Sequence, residues 1–480
     1  MATAGTGGGG DPRTEPGRAA PVAGGGGPAG AAPPAPVVGP GPVAGPGPAA
    51  GGAPTAVAVI GAGYVGLTTA VVLAHLGHRV CCGEIDPAKV ARLSSGTPTI
   101  FEEGLEPLLR EGLDSGRLRF VEGAAASVSG ARFVFLCVPT PQHEDGSADV
   151  RALTAAAREI GPHLAEGAVV VNKSTVPVGS ATLIERLLRR PDVSVVSNPE
   201  FLREGTAIAD SLHPDRVVVG SDDREAALGV GGLFSPLGAP LIVTDAATSE
   251  TIKYAANAFL ATKLSFVNAV ATLCEHLGAN VGDVLQGLGY DHRIGFEYLQ
   301  PGPGWGGSCL PKDTRALLYM SQRAGYDVPL LREVIETNES QLQSVVEKIV
   351  RAGGADLPAH PVAVWGLSFK AGTDDRRRSP AIEIVQRLLQ RRLRVRAHDP
   401  AVEGPVPELA DGAALFDDPY AACEGAGVLA VLTDWESFRK LDLGRVRDTM
   451  RTPRIVDARN LLDPVAARAQ GFEYVGIGNP

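Results

Sequence analysis

Lysine is scarce in this 480-residue chain: eight in all, at positions 89, 173, 253, 263, 312, 348, 370 and 440. Each one inside a motif therefore stands out. No block of basic residues occurs, and 54 Asp and Glu outnumber 44 Lys and Arg, for a net charge of −10. Such a chain is a poor nucleic-acid binder, and none is expected as a partner. A small anionic ligand needs only a local cluster and stays open. The six cysteines, Cys81, Cys82, Cys137, Cys274, Cys309 and Cys423, include no C-x-x-C pair and have no His cluster beside them. That excludes the common zinc spacings, and no metal is expected. The N-terminus lacks a basic segment followed by an apolar run, so no secretory leader is expected. Reduced thiols and a cytoplasmic location follow as expectations. Long apolar runs are missing too. The stretch that best mimics a membrane span, Val57–Gly77, is interrupted by glycines and by Thr68 and Thr69. It reads as strand, turn and helix, and no membrane is expected.

Glycine (60) and proline (38) are abundant by contrast. Residues 1–54 hold 17 Gly and 12 Pro, with no apolar periodicity. They cannot bury enough surface to offset ordering entropy and are expected to be a disordered tail. A flexible interaction arm is the functional reading of this tail, and an unselected extension the favoured one. The remaining 426 residues have a globular composition. At about 100–200 residues per domain they suggest two to four domains.

From Ala56 onward, short β-rich runs alternate with helical segments. AVAVI (56–60), RVCCGEI (79–85), RFVFLCV (132–138), AVVVNKS (168–174) and SVVSN (194–198) read as strands. This predicts an α/β fold with a doubly wound parallel sheet. Residues 244–278 hold no Gly or Pro before Gly278 and read as one long helix beginning near Thr248, with helical text continuing to about Ala352. At Pro361 the alternation restarts, with strands in VAVWGLSF, RVRAHDP, GVLAVLT and RIVDA and a helix near Pro380–Gln390. The expectation is two Rossmann-like domains, residues 55–243 and 356–480, joined by a central helical domain, residues 244–355.

The first strand runs straight into Gly61-Ala-Gly63-Tyr64-Val65-Gly66 and a helix. The first Gly allows the tight turn, the second lets backbone approach a pyrophosphate, and the third lets helix pack on strand. The helix N-terminus then offers amide donors and partial positive charge. Glu84 ends the second strand, where a carboxylate holds ribose hydroxyls and repels a 2′-phosphate. NAD is the expected cofactor.

A second glycine-rich loop, Gly302-Pro-Gly304-Trp-Gly306-Gly307-Ser-Cys309-Leu-Pro-Lys312-Asp313, carries a cysteine. Glycines before it let backbone crowd a substrate, and Lys312 is expected to lower the thiol pKa and make Cys309 a nucleophile. The other five cysteines read as small core residues. A nicotinamide cofactor beside a nucleophilic thiol points to a four-electron oxidation. An alcohol becomes an aldehyde, the thiolate traps it as a thiohemiacetal, a second hydride leaves a thioester, and water releases an acid.

Eight motifs in order make the resemblance specific: GAGYVG, STVPVG (174–179), NPEFLREG (198–205), KYAANAFLA (253–261), DHRIG (291–295), GWGGSCLPKD (304–313), GLSFKAGTDD (366–375) and DARN (457–460). The chain from about residue 56 resembles the nucleotide-sugar dehydrogenase family. The resemblance implies that Cys309 is the nucleophile, that Lys253 and Asn257 hold an oxyanion, and that Asp313 assists proton movement and positions water. It implies acid–base work and contacts with substrate and cofactor for Glu200 and Glu204, flanking Phe201 and Leu202. Thr175 would meet cofactor and attacking water, and Thr140, Lys89, Lys312 and Arg377 match cofactor contacts. Tyr298, Leu299, Gln300, Pro301, Gly302 and Gly306 match a loop over the sugar nucleotide, and Lys370 and Arg459 its contacts from the C-terminal domain. Arg293 matches an arginine that reaches a partner subunit's substrate, which implies a homodimer or larger homo-oligomer through the long helix. Arg378 stands where the family commonly has an acid, which unsettles local salt bridging.

Within the family, HPDRVVVG (213–220) and DHRIG favour UDP-glucose, oxidised to UDP-glucuronate, over GDP-mannose. UDP-N-acetylmannosamine enzymes rank lower because they usually lack NPEFLREG. A non-catalytic nucleotide-sugar sensor is disfavoured by the complete set of Cys309, Lys253, Asn257, Asp313, Glu200 and Glu204. A scaffold acting through the tail would be additional to catalysis.

Overall fold

The computed structural model describes residues 54–409 and 412–479, so the expected tail lies outside the described residues except for Pro54. Eight strands form the first sheet: β1 Ala56–Ile60, β2 Arg79–Glu84, β3 Leu118–Glu122, β4 Phe133–Leu136, β5 Val169–Asn172, β6 Ser194–Ser197, β7 Val217–Gly220 and β8 Leu241–Thr244. Their order is β3-β2-β1-β4-β5-β6-β7-β8. All pairs are parallel except β6 with β7, which touch antiparallel at Ser197 and Gly220. The central strands are apolar on both faces, as burial under helices on both sides requires. Strand order reverses between β1 and β4, so a crevice opens at their carboxyl ends.

Six strands form the second sheet: β9 Val362–Trp365, β10 Val395–His398, β11 Ala413–Leu415, β12 Val428–Val431, β13 Arg454–Asp457 and β14 Glu473–Gly476. The order β11-β10-β9-β12-β13-β14 repeats the first half of the chain, again parallel. The expected architecture of two doubly wound units is therefore the observed one. β3, β7, β8, β11 and β14 escaped the sequence reading. β3 interleaves charges with apolar residues, and β8 and β11 have no fully buried position.

The helices that build the site are α1 Tyr64–His75, α2 Pro87–Ser94, α3 Ala246–Leu277, α4 Val281–Gly289, α5 Leu310–Arg323, α6 Pro329–Gly353 and α7 Pro380–Gln390. α3 starts two residues before Thr248 because Asp245 caps it, its carboxylate accepting from the Thr248 amide at 2.8 Å. It stops at Gly278, whose φ of +69° suits glycine. By length and composition α3 could cross a membrane. Its buried face nevertheless carries Glu250, Lys253, Asn257 and Asn268, each bonded to protein. Val57–Gly77 resolves into β1, a turn and α1, as expected.

One core fastens the second sheet to the helical middle. Val267, Ala271 and Cys274 of α3 pack with Val345, Val346 and Ile349 of α6 and with Val362 and Val364 of β9. Each such aliphatic side chain contributes about 1.5–3 kcal/mol on full burial. That seam places the start of α3, the cysteine loop and the carboxyl ends of both sheets together.

Candidate active site

The glycine turn after β1 has three glycines with three separate causes. Gly61 has φ +93°, and a Cβ there would lie 2.8 Å from the Cys137 carbonyl. A Cβ on Gly66 would strike the Gly61 carbonyl at 1.8 Å, so helix and turn can only close on glycine. A Cβ on Gly63 would meet nothing within 4 Å: that face is open. Gly63 caps α1 without any side-chain bond, which leaves the first amides of the helix for an anion. Open backbone, free amides and the buried Glu84 at the end of β2 fit a dinucleotide. Glu84 also shapes the turn, since its Oε2 accepts from the Ala62 amide at 3.0 Å. Val65 packs into the core below, and Lys89 sits exposed on α2. Thr140 and Thr175, in the loops after β4 and β5, are joined: the Thr140 hydroxyl donates to the Thr175 carbonyl at 2.7 Å.

Lys253 and Asn257 lie one turn apart on the buried face of α3. Lys253 Nζ donates to Glu200 Oε1 at 2.8 Å, and Asn257 Nδ2 to Asp313 Oδ2 at 2.6 Å. Cys309 is the N-cap of α5, and the Asp313 amide donates to its carbonyl at 2.9 Å. On the other side, Ser308 Oγ lies 3.5 Å from Cys309 Sγ and donates to Glu204 Oε1 at 2.7 Å. Arg377 reaches the same Glu204 oxygen at 3.2 Å while forking onto Asp375. The thiol thus stands between a lysine–glutamate pair and a hydroxyl–carboxyl chain.

The electrostatics separate the two glutamates. Burial would raise both carboxyls. For Glu200 the Lys253 charge and hydrogen bond outweigh it, and its pKa falls below the ordinary value. For Glu204 burial wins, reinforced by the neighbouring Asp375, and its pKa rises. Glu204 is buried within hydrogen-bond reach of the Asp375 carboxylate, which accepts the proton that Glu204 holds. Asp375 stays low because the Arg377 hydrogen bonds overcome its own burial. Burial pushes the Cys309 thiol up to about 11, although Lys253 pulls it down. Here the structure corrects the sequence reading. Lys312 donates to Asp313 at 2.5 Å, and the lysine whose charge acts on the thiol is Lys253. α5 begins at Leu310, and Lys312 in its first turn pairs with its neighbour.

The loop Tyr298–Gly307 is pinned from three directions. The Gly302 amide donates to Asn268 Oδ1 at 2.9 Å, and its carbonyl accepts from Gln341 Nε2 at 2.7 Å. Arg459 lies against Gly302 and donates to the carbonyls of Leu432 and Phe369. A Cβ on Gly306 would lie 2.2 Å from the Arg378 carbonyl, which also accepts from the Gly307 amide at 3.3 Å. Arg378 itself is exposed, has φ +49° and makes no ion pair among the described residues. Tyr298 (φ +60°) and Pro301 are half-buried, Leu299 is buried and Gln300 is exposed. Lys370, half-buried from the second sheet's side, feels the charge of Glu204. Phe201 lies under the Arg216 guanidinium at 3.6 Å and near Lys253 at 5.6 Å, and the Leu202 amide donates to Glu200 Oε2 at 2.7 Å.

Arg293 is not brought to this cluster by its own chain. It forks onto Asp291 on an exposed turn after α4. The sequence reading missed Glu102, Arg216, Ser308 and Asp375. Asp375 sits inside the quoted GLSFKAGTDD motif, Ser308 inside GWGGSCLPKD and Arg216 inside HPDRVVVG, whereas Glu102 lies in none of the quoted motifs. No cluster of metal-binding side chains occurs among the described residues.

Three family models match in succession: the NAD binding domain of the UDP-glucose/GDP-mannose dehydrogenase family at residues 55–237, its central domain at 247–340 and its UDP binding domain at 363–464. The chain belongs to the UDP-glucose/GDP-mannose dehydrogenase family. A UDP-glucose 6-dehydrogenase of Pseudomonas aeruginosa is 44% identical over 441 residues, spanning 88% of this chain and 97% of that protein. One of Rhizobium meliloti is 44% identical over 434 residues, at 88% and 99% coverage. A UDP-glucose dehydrogenase from Pyrobaculum islandicum superposes with a TM-score of 0.83 at 38% identity, covering 90% of this chain and 99% of that one. In this dehydrogenase family, the glycine turn and Glu84 lie in the matched NAD binding domain, and Lys370 and Arg459 in the matched UDP binding domain.

Proposed function

We propose that this protein is an NAD-dependent UDP-glucose 6-dehydrogenase, converting the C6 alcohol of UDP-glucose to the carboxylate of UDP-glucuronate. The observation that carries the reading is a half-buried thiol within reach of the Lys253 charge, with Asn257 and Asp313 beside it, at the seam of two nucleotide-binding sheets. The naming of near full-length relatives as UDP-glucose 6-dehydrogenases supports the substrate. NAD, held by Gly61, Gly63, Tyr64, Val65, Gly66, Glu84, Lys89, Thr140, Thr175 and Arg377, supplies the hydride acceptor for both oxidations. Residues 55–243 would hold it, residues 244–355 the cysteine, and residues 356–480 the UDP-sugar.

The residues of the chain divide the remaining work. Cys309 Sγ bonds to the aldehyde carbon, and its proton leaves through Ser308 Oγ towards Glu204 in its ionised form, whose pKa, raised to about 8, lets it hold the proton once taken. Lys253, kept protonated by Glu200, and Asn257 donate to the oxyanion of the resulting thiohemiacetal. Water aligned by Thr175 and Asp313 opens the thioester that follows, releasing the acid and restoring the thiol. Tyr298, Leu299, Gln300, Pro301, Gly302 and Gly306 line the sugar nucleotide, with Phe201 and Leu202 from the opposite wall. Lys370 and Arg459 meet its diphosphate.

The same reading includes a homodimer. Phe259, Phe266 and Leu273 are exposed at intervals of seven on α3, with Leu277 beyond them and Phe296 and Ile294 nearby in sequence to α4. A second copy covering this stripe would set Arg293 at its partner's site. The six free cysteines agree with a reducing, cytoplasmic setting. A panel of UDP-glucose, GDP-mannose and UDP-N-acetylmannosamine tests the substrate. Turnover with UDP-glucose at least tenfold faster than with the others is expected, and preference for another sugar nucleotide overturns the assignment.

A further inference from the structure

Glu102 lies outside every motif that drew attention in the sequence, yet it is buried among groups of the candidate site. Only 8% of it is exposed. Its Oε1 accepts from the Ala207 amide at 2.5 Å, and its Oε2 from the Gly205 amide at 2.7 Å. The same Oε2 is bonded to the Tyr64 hydroxyl, and the Gly205 amide lies 2.9 Å from that hydroxyl as well. Three donors from two segments thus converge on one carboxylate: the Tyr64 hydroxyl of the nucleotide turn, and the Gly205 and Ala207 amides just after Glu204. Burial and the hydrogen bond to Glu102 hold the Tyr64 pKa far above its ordinary value, so the phenol stays a donor. The charge of Glu102 also reaches Lys370 on the opposite side.

A buried carboxylate with three donors is costly to assemble and holds its donors firmly once assembled. What it holds is the backbone next to Glu204. Gly205 has φ +83°, and a Cβ there would lie 2.7 Å from the Gly372 carbonyl, so this backbone is pressed against the second half of the molecule. Movement of Gly205 would carry Glu204 away from Ser308 and Arg377, which it meets at 2.7 and 3.2 Å.

We propose that Glu102 is a positioning residue for Glu204, fixing the carboxyl that serves the thiol and tying it, through Tyr64, to the nucleotide turn. The hydrogen bonds of Glu102 go to Tyr64, Gly205 and Ala207 and not to the thiol. It acts through the Gly205 and Ala207 amides. The inference rests on the proposed reaction, in which Glu204 takes the proton from Cys309.

The test compares wild type with Glu102→Gln, Glu102→Asp and Glu102→Ala, measuring kcat and KM for UDP-glucose and NAD, thermal midpoints, and NAD affinity by equilibrium titration. Glutamine keeps the shape but turns an NH2 towards donors that need an acceptor. Aspartate keeps the charge but is one carbon short. Glu102→Ala should lower kcat by a hundredfold or more, with both KM values within about threefold of wild type. Glu102→Gln and Glu102→Asp should fall between alanine and wild type. Two results overturn the inference: kcat within twofold of wild type in Glu102→Ala, or losses in kcat that follow the fall in thermal midpoint across all three variants. Wild type that binds NAD but turns over no sugar nucleotide would instead overturn the reaction on which the inference rests.

Discussion

Lys253 Nζ lies 2.8 Å from Glu200 Oε1, and the two side chains are only 4% and 5% exposed. Each is tolerable in the interior because of the other. The pair sits against the thiol, so its charges also set how readily Cys309 ionises.

Removing one partner should therefore cost more than removing both. Lys253→Met leaves Glu200 buried without its cation and is expected to destabilise the protein by about 3–5 kcal/mol. Lys253→Met with Glu200→Gln should recover part of that loss, as read from urea unfolding of both variants. The wild-type contribution has a defined pH window. Glu200 has a pKa below the ordinary 4.5, so the pair's stabilisation is complete above that value and is lost as pH falls through the depressed one. A double variant less stable than Lys253→Met would contradict the pairing.

Alkylation of Cys309 reads the thiol directly. The other five cysteines are buried, so iodoacetamide should mark Cys309 first. With a pKa pushed to about 11, the rate should climb tenfold per pH unit from 7 to 10 without a plateau. Glu200→Gln removes a charge that raises the thiol pKa and should speed alkylation at a given pH. Lys253→Met removes one that lowers it and should slow alkylation. A plateau below pH 8.5, followed by mass spectrometry of the Cys309 peptide, would refute this environment.

The apolar stripe on α3 gives a third expectation. Phe259 and Phe266 are 68% and 58% exposed, more than a stable monomer needs to show. Phe259→Lys with Phe266→Lys should convert a dimer to monomer in light scattering. It should leave the thermal midpoint of the dilute protein nearly unchanged, since both side chains are mostly exposed on their own chain. A wild-type monomer at micromolar concentration would contradict the interface.

Much of this was legible in the sequence because glycines announce backbone demands. Gly61, Gly66 and Gly306 each lie where a Cβ would strike a carbonyl, and their spacing marked both loops. The alternation of Val-rich runs with helical text gave the two sheets, since strands buried on both faces read as continuous apolar runs. The edge strands β8 and β11 are apolar but short, at four and three residues, and have no fully buried position. Side-chain partners were less legible. Lys312 is three residues from Cys309, but the cation acting on the thiol is Lys253, 56 residues earlier, delivered by the packing of α3 on α5. Glu102 was silent for the same reason, and Ser308, though inside the cysteine loop, did not announce its partner Glu204: only folding brings these amides and carboxylates near.

The most direct measurement is the stoichiometry of a single reaction. Purified protein given limiting UDP-glucose and excess NAD should produce two NADH and one UDP-glucuronate per sugar, with Cys309→Ser stopping before the acid. One NADH per sugar with the aldehyde accumulating, or full acid formation by Cys309→Ser, would contradict oxidation through the thiol.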